Sequence, residues 1–197
     1  MTSGADLPTK LACAAPVLLL AGALHAADAP AWDFAQLMAQ LAQIQTSRAR
    51  YTEVRHVAML KQPLELSGTL SYSRPARIEK NQTRPFSEIV RVDGDDLTVE
   101  REGRTHTVTL RSAPLLGTLV ESLRATLAGD GGELQRLFSV SMEGPKERWT
   151  LKLTPLEMDV AGVVAAISIS GSGPRVGRIE IQEPGGDRSV MIIKEES

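Results

Sequence analysis

The first stretch of helical periodicity after the N-terminal segment is a repeat of apolar residues between Asp33 and Ile44. Apolar side chains that recur every three or four positions predict an amphipathic helix. Asp33 stands where an N-cap is expected, and Gln36 follows three residues later, as in a capping box. The apolar stripe then needs a second layer to pack against. Its members are Phe34, Leu37, Met38, Leu41 and Ile44.

After this helix the pattern changes to alternation of apolar and polar residues, which predicts β-strands. Strict alternation from Leu64 to Tyr72 is typical of a half-buried antiparallel strand. Asp93-Gly94 and Glu102-Gly103 are turn sequences typical of hairpins. The other strands are predicted over residues 49–60, 88–92, 97–101, 105–110, 149–153, 163–169, 179–181 and 190–192.

Two helices are predicted in the middle of the chain. Gly129 ends the first helix, and Asp130 to Glu133 resembles a capping box for a second, short helix that ends near Phe138. The first helix has one wide apolar face, formed by Leu115, Leu116, Leu119, Val120, Leu123 and Leu127.

The order of these elements is a helix, about five strands, two helices and about four strands, and most strands have one apolar face. This order predicts an α+β fold, in which helices cover the concave face of a strongly curved antiparallel sheet. Such a sheet either packs tightly on its helices or leaves an apolar cavity beneath them. The abundance of Leu, Ile and Val fits both arrangements.

The N-terminal segment has the pattern of a secretory signal peptide. Lys10 precedes a short apolar run with a small-residue exit, which predicts a cleaved signal over residues 1–26. A membrane anchor or a buried helix is the alternative. Cys13, the only cysteine, lies near the start of the run, where lipidation is not expected. Residues 27–197 are therefore predicted to form a single exported domain without thiols.

Neither charge nor motif content predicts catalysis. The net charge of −2 does not favour nucleic acid or an anionic membrane surface as the main partner. His56 and His106 lie in predicted strands without partners at the spacing of a metal site or a catalytic triad. Phosphate loops, dinucleotide fingerprints and nucleophile elbows are also lacking in the sequence. We therefore expect neither an enzyme nor a cofactor or metal site, and an exported hydrolase is the weakest alternative.

One stretch of the chain carries a more specific pattern. Between Gly68 and Leu97 the sequence runs from a glycine-led strand into Arg74-Pro75, then Thr83-Arg84-Pro85, then Asp93-Gly94. This ordered set resembles the signature region of the periplasmic outer-membrane lipoprotein carrier protein (LolA) family. The segments 149–155 and 176–181 are similar to later strands of that family.

This resemblance implies an unclosed β-barrel with a helical lid over an apolar cavity that holds acyl chains in the periplasm. It also implies a monomer whose partners are an acylated lipoprotein or other envelope lipid, an inner-membrane donor and an outer-membrane acceptor. Arg74 would tie the sheet to the lid by hydrogen bonds. From alternation and helical spacing, the predicted lining is Leu66, Leu70, Ile78, Ile89, Leu119, Leu123, Ile167 and Ile179. Each of these positions fits a solid core equally well.

The departures from the family pattern indicate a divergent branch. Lys80 stands where the family commonly has tryptophan, and aromatic residues make up only 4% of the chain. The cargo is then either a lipoprotein or another envelope lipid, such as an aryl polyene pigment lipid or a glycolipid. The alternative function is a non-transporting lipid sensor or protein-interaction module of the same fold.

Overall fold

A computed structural model describes residues 32–196 of the 197-residue chain. The predicted signal peptide, with Cys13 and its cleavage site, lies outside the described residues. From Trp32 onward the chain forms one compact unit. Among the described helices, none has the length and apolar character needed to cross a membrane.

The described residues form eleven strands and four α-helices. The helices are α1 (Phe34–Leu41), α2 (Pro114–Ala128), α3 (Gly131–Leu137) and α4 (Met158–Ala161). The first six strands are β1 (Thr46–His56), β2 (Leu64–Ser73), β3 (Arg77–Arg84), β4 (Glu88–Asp93), β5 (Asp96–Arg101) and β6 (Arg104–Thr109). The other five are β7 (Phe138–Glu143), β8 (Trp149–Pro155), β9 (Ala166–Ser172), β10 (Arg175–Gln182) and β11 (Arg188–Glu195).

All strands belong to one antiparallel sheet in the order β6-β5-β4-β3-β2-β1-β11-β10-β9-β8-β7. Neighbours in the sheet are neighbours in sequence except at its centre, where β1 pairs with β11 from the other end of the chain. The edge strands β6 and β7 do not pair with each other, so the barrel is unclosed. The chain between these edges forms α2 and α3. This arrangement confirms the predicted α+β fold with an unclosed antiparallel barrel.

The predicted signals at the helix ends are confirmed. The side chain of Asp33 accepts a hydrogen bond from the backbone N–H of Gln36 at 2.9 Å, and Asp130 caps α3 through the N–H of Glu133 at 3.0 Å. Gly129 has φ of 70° and ends α2 in the left-handed region. A Cβ on Gly129 would lie 2.2 Å from the carbonyl oxygen of Met38, so glycine is also needed for the close approach to α1.

The structure corrects three details of the strand prediction. β3 was not predicted, because its inward positions include the polar Lys80 and Gln82 and therefore lack an apolar alternation. β7 is also absent from the strand prediction, in which Phe138 marks only the end of a helix. The strand predicted over residues 163–169 begins at Ala166, and Val163 instead follows α4.

The main hydrophobic core lies between α1, α3 and strands β7 to β9. Trp149 is fully buried there, and its indole N–H donates to the carbonyl of Gly173 at 2.8 Å. A smaller cluster of Val92, Leu110 and Val120 packs between α2 and the other half of the sheet. The main cluster contains Leu37, Met38, Leu41, Ala125, Leu134, Leu137, Phe138, Trp149, Leu151, Leu153 and Ile169.

Candidate functional site: an apolar cavity under helix α2

An apolar cavity of about 400 Å³ lies between α2 and the concave face of the sheet. Its volume falls within the range of about 300–1,000 Å³ that is typical of small-molecule sites. Helix α2 contributes Leu119, Ser122, Leu123, Thr126 and Leu127 to its wall. The sheet contributes mainly aliphatic side chains, among them Ala49, Leu70, Ile78, Leu153, Ile167, Ile169, Val176, Ile179, Ile181, Met191 and Ile193.

Strand register explains why these side chains meet. Residues directly opposite each other on paired strands point to the same face of a sheet. Leu70 lies opposite Ala49 on one side and Lys80 on the other. In the other half of the sheet, Ile179 lies opposite Ile169 and Met191 in the same way. The apolar positions of separate strands therefore form a continuous wall.

The structure places six of the eight predicted lining residues in the cavity wall. These six are Leu70, Ile78, Leu119, Leu123, Ile167 and Ile179. Leu66 and Ile89 lie outside it. Ile89 lies opposite Asn81 and Glu100 on the outer face of the sheet. Its neighbour Val90 is the residue of β4 that faces the concave side. Leu66 also faces inward but lies four residues from Leu70, opposite Glu53, where its side chain is packed at 4% exposure.

Sequence reasoning missed several lining residues. Ser122 and Thr126 are polar, yet both are buried on the cavity side of α2, where their hydroxyls donate to backbone carbonyls of the same helix at 2.7 and 2.8 Å. On β11 the prediction grouped Val190 with Ile192. Register with β1 instead turns Met191 and Ile193 inward, and Ile192 is 37% exposed. The Ser122–Thr126 spacing of four residues was the available signal for α2.

A wider polar groove of about 960 Å³ adjoins the cavity at one end of the sheet. The cavity and the groove share the lining residues Ile44, Ser47, Ser71, Tyr72, Pro174 and Glu195. The groove also contains Arg48, Arg77, Glu79, Arg175 and Glu196. An apolar cavity beside a charged groove has the two environments that an amphiphilic molecule requires.

Arg74 connects the sheet to helix α2. Its guanidinium donates from Nη2 to the carbonyl oxygen of Ala128 at 2.6 Å, and its backbone N–H donates to the carbonyl of Gln45 at 3.0 Å. Ala128 is the last residue of α2, where backbone carbonyls lack partners within the helix and the helix dipole attracts a cation. Arg124 of α2 in turn donates to the carbonyl of Gly94 in the β4–β5 turn.

A buried carboxylate lies next to the cavity. Glu53 is 2% exposed, and its oxygens accept hydrogen bonds from Lys80 at 2.7 Å, Ser189 at 2.7 Å and Arg55 at 2.8 Å. Burial by itself would raise the pKa of Glu53. The hydrogen bonds and the charge of Lys80 outweigh burial, so the pKa is lowered from its ordinary value. Glu53 is therefore a charged group at neutral pH.

Tyr51 lies beside this ion pair. The ammonium of Lys80 is 5.0 Å from the centroid of the Tyr51 ring, within range of a cation–π contact. Burial, followed by the negative charges of Glu53 and Glu88, raises the pKa of Tyr51 to about 12. Its hydroxyl is buried and has no hydrogen-bond partner within residues 32–196.

The described residues do not assemble a metal site. Within residues 32–196 no cluster of three or more His, Cys, Asp or Glu side chains has the arrangement needed to hold a metal ion. His56 and His106 are both exposed, at the end of β1 and on the edge strand β6.

An unclosed antiparallel barrel with helices over an apolar cavity defines the fold class of this chain. Within this class, the chain belongs to the family described as outer membrane lipoprotein carrier protein LolA-like, whose family model matches residues 26–194. No curated protein matches the sequence.

The chain is similar to several solved structures at low sequence identity. A LolA superfamily protein from Nitrosomonas europaea is 12% identical with a TM-score of 0.45, and the match covers 84% of this chain and 92% of that one. A DUF1329 family protein from Desulfovibrio piger is 12% identical with a TM-score of 0.48, covering 82% and 89%. A putative outer membrane lipoprotein-sorting protein domain from Vibrio parahaemolyticus is 10% identical with a TM-score of 0.45, covering 83% and 91%.

Proposed function

We propose that this protein is a periplasmic carrier that shields the acyl part of a lipoprotein or another envelope lipid during transport from the inner to the outer membrane. The observation that carries the proposal is the apolar cavity under α2. Each methylene group exposed to water is unfavourable by about 0.8 kcal/mol, so a lipid needs an apolar enclosure to cross an aqueous compartment. Membership of the LolA-like family supports the same function.

The proposal includes the route and the partners. The predicted signal peptide over residues 1–26 would direct the chain across the inner membrane, and an inner-membrane donor would load the cavity. An outer-membrane acceptor would then receive the cargo. A carrier must also release its load, which requires an opening motion of modest cost. We assign this motion to α2, because Leu119 and Leu123 cover the cavity and Leu123 is already 38% exposed.

Native mass spectrometry of the protein purified from its own periplasm tests the proposal. A discrete acylated adduct is expected, and chemical analysis of the extracted adduct would distinguish a lipoprotein anchor from a pigment lipid or glycolipid. An unmodified mass, unchanged after incubation with envelope lipids, would overturn lipid carriage and favour a module that binds protein.

A matched pair of variants links any adduct to the cavity. Ile179→Phe places a larger, aromatic side chain in the cavity wall. It is expected to lower the fraction of protein that carries the adduct. Ile192→Phe makes the same change on the outer face of the neighbouring strand β11, where the side chain is 37% exposed, and is expected to retain the adduct. Equal loss or equal retention in both variants would place the lipid elsewhere on the protein.

A further inference from the structure

Strands β10 and β11 separate at one end of the sheet. Their register ends at Arg178 opposite Ile192, whereas β11 continues to pair with β1 as far as Glu195. The first three residues of β10, 175–177, therefore have no partner on β11 within the described part of the chain. The sheet is split at this end between residues 175–177 and residues 193–195, and we call this gap the β10–β11 split.

A β-bulge loosens β10 at the same place. On the side of β9 the register shifts between Val176 and Arg178, so Gly177 lacks a strand partner on both of its sides. Val176 lies opposite Gly171, which in turn lies opposite the buried Trp149, so Val176 faces the concave side of the sheet. The split is therefore bordered by an irregular strand whose side chain still reaches the cavity.

The β10–β11 split joins the cavity to the polar groove. Val176 and Ile193, on its two sides, line the cavity. Pro174 and Glu195 line both the cavity and the groove. Arg175 follows Pro174 in the chain and lines the groove alone. An amphiphile that lies through the split would place its chain among apolar side chains and its polar part beside Arg175.

The groove contains two arginine side chains without a partner. Arg48 and Arg175 are exposed, and within residues 32–196 neither side chain makes an ion pair or a hydrogen bond. Glu195 is likewise unpaired among these residues. The other charged groove residues are held in ion pairs, namely Arg77 with Asp93, Glu79 with Arg91, and Glu196 with Arg50. Two unpaired cations against one unpaired anion leave the groove with an excess of positive charge.

Hydroxyl groups lie beside these arginines. Thr46, Ser47, Ser71 and Ser73 line the groove, and their hydroxyls have no hydrogen-bond partner in the described chain. Tyr72 lines both the groove and the cavity, and its buried hydroxyl also lacks a partner there. A phosphate group has several acceptor oxygens, which guanidinium and hydroxyl groups together can satisfy. The donors of the groove therefore match a phosphate better than an uncharged head group.

We propose that Arg48 and Arg175 hold the phosphate head group of an amphiphile whose apolar chain enters the cavity through the β10–β11 split. The proposal rests on the proposed function and deepens it, because it names the charge of the polar part of the cargo and the passage for its chain. Arginine suits this role, since its planar fork donates two hydrogen bonds to a phosphate. The motion assigned to α2 then widens the cavity, while the split is the passage.

Binding of two lipids that differ only in the phosphate tests the head-group site. Lysophosphatidic acid carries a phosphate, and the monoacylglycerol with the same acyl chain does not. Wild-type protein is expected to bind lysophosphatidic acid about tenfold more tightly, as displacement of a fluorescent lipid measures. The double variant Arg48→Gln, Arg175→Gln is expected to reduce this preference to about twofold or less and to leave the affinity for the monoacylglycerol unchanged.

The double variant Arg104→Gln, Arg148→Gln is the matched control. Both arginines are exposed, lie outside the groove and the cavity wall, and have no ion-pair partner within residues 32–196. The control removes the same two charges, so it accounts for the effect of net charge on an anionic ligand. It is expected to keep the wild-type preference. Thermal unfolding of both double variants is expected to match the wild type, because all four side chains are exposed.

A photoreactive lysophosphatidic acid tests the passage. With a diazirine on the acyl chain next to the head group, covalent label is expected on peptides that contain Val176 or Ile193, which line the cavity at the split. Label confined to α2 would overturn the split as the passage for the chain.

The outcomes separate this proposal from the proposed function. Wild-type protein that binds neither lipid would overturn both. Equal binding of the two lipids would overturn only the head-group site, as would a preference that survives in the Arg48 and Arg175 double variant or is lost equally in the control. Inorganic phosphate at the concentration of the lipid is expected to leave the preference unchanged. Loss of the preference in its presence would assign the groove to free phosphate and overturn the lipid head group.

Discussion

The concave face of the sheet is filled by side chains in one region and hollow in another. In the filled region, formed by β7 to β9 with α1 and α3, large side chains such as Phe138, Trp149 and Leu151 are at most 1% exposed. In the hollow region, formed by β1 to β3 and β9 to β11 under α2, inward side chains surround the cavity. The two regions meet at Leu153 and Ile169, which belong to both the core cluster and the cavity wall.

The difference follows from side-chain size and from the number of helices available. α1 and α3 both pack on the filled region, whereas the cavity is covered by α2. Several inward positions of the hollow region are small, such as Ser47 and Ala49 on β1 and Ser122 on α2. The hydrophobic alternation is similar in both regions, so a stripe of apolar residues is compatible with a solid core and with a binding cavity alike.

The largest expected effect comes from the same substitution made in both regions. Leu151→Ala removes a side chain of 0% exposure from the packed core and is expected to lower the free energy of unfolding by about 2–5 kcal/mol. Leu70→Ala is expected to lower it by about 1 kcal/mol, because one side of Leu70 already faces the cavity and few contacts are lost. Urea unfolding of both variants measures the difference.

Equal losses of stability in Leu151→Ala and Leu70→Ala would contradict the distinction between a filled and a hollow region. A large loss at Leu70 would mean that the cavity collapses around its side chains in solution. Glu65→Gln is the reference variant, because Glu65 is an exposed residue on β2 next to Leu66. It is expected to change stability by less than about 0.5 kcal/mol.

Much of this fold was predictable from residue patterns, because caps, turns and alternation are local. Asp33, Asp130 and Gly129 specify helix ends through contacts within a few residues of themselves. The pairing of β1 with β11 is different, since it joins segments far apart in the sequence. β3 has no local apolar signal, and tertiary context makes it a strand.

The candidate site was predictable only in part, for a physical reason. Alternation identifies the two faces of a strand but does not give the register that decides which face is concave. Ile89 fits an apolar strand pattern yet lies on the outer face, because β4 pairs Val90 with Lys80 inward. The ion pair between Lys80 and Glu53 depends on residues 27 positions apart, and no local spacing indicates it.

The second prediction concerns the buried carboxylate of Glu53, which is paired with Lys80 beside the hollow region. Glu53→Gln is expected to lower stability at pH 7 by about 1–3 kcal/mol, because hydrogen bonds to a buried charge are lost or weakened. The pKa of Glu53 is lowered in the folded protein, so its contribution is present above the unfolded pKa near 4.5 and is lost as pH falls through the folded pKa.

Unfolding measurements over a range of pH give the test. The difference in stability between wild type and Glu53→Gln is expected to be largest at neutral pH and to shrink below pH 4.5, the ordinary pKa of the group. A difference that stays constant down to acidic pH would show that the carboxylate is not stabilised in its charged form.

The third prediction, with the smallest expected effect apart from the reference variants, concerns the connection between the sheet and α2. Arg74→Leu removes an exposed hydrogen bond to the carbonyl of Ala128, so it is expected to lower stability by about 1 kcal/mol or less. Arg74→Lys retains the charge but has a single ammonium in place of a planar fork, and we expect an intermediate effect. Arg104→Leu, at an exposed position on β6, is the control.

Arg74→Leu nevertheless separates the possible roles of the hollow region, because α2 covers the cavity and Arg74 holds the C-terminal end of that helix. For a carrier, a weaker connection favours the open arrangement, so bound lipid should be retained on purification but transfer to acceptor vesicles should change in rate. For a module that binds only protein, lipid content and transfer should not differ from those of Arg104→Leu. Measuring transfer of a fluorescent lysophospholipid from each variant to vesicles decides between these outcomes. A changed rate with unchanged stability would place the functional role of Arg74 in the motion of α2. The filled region would then account for the stability of the fold without a contribution from Arg74.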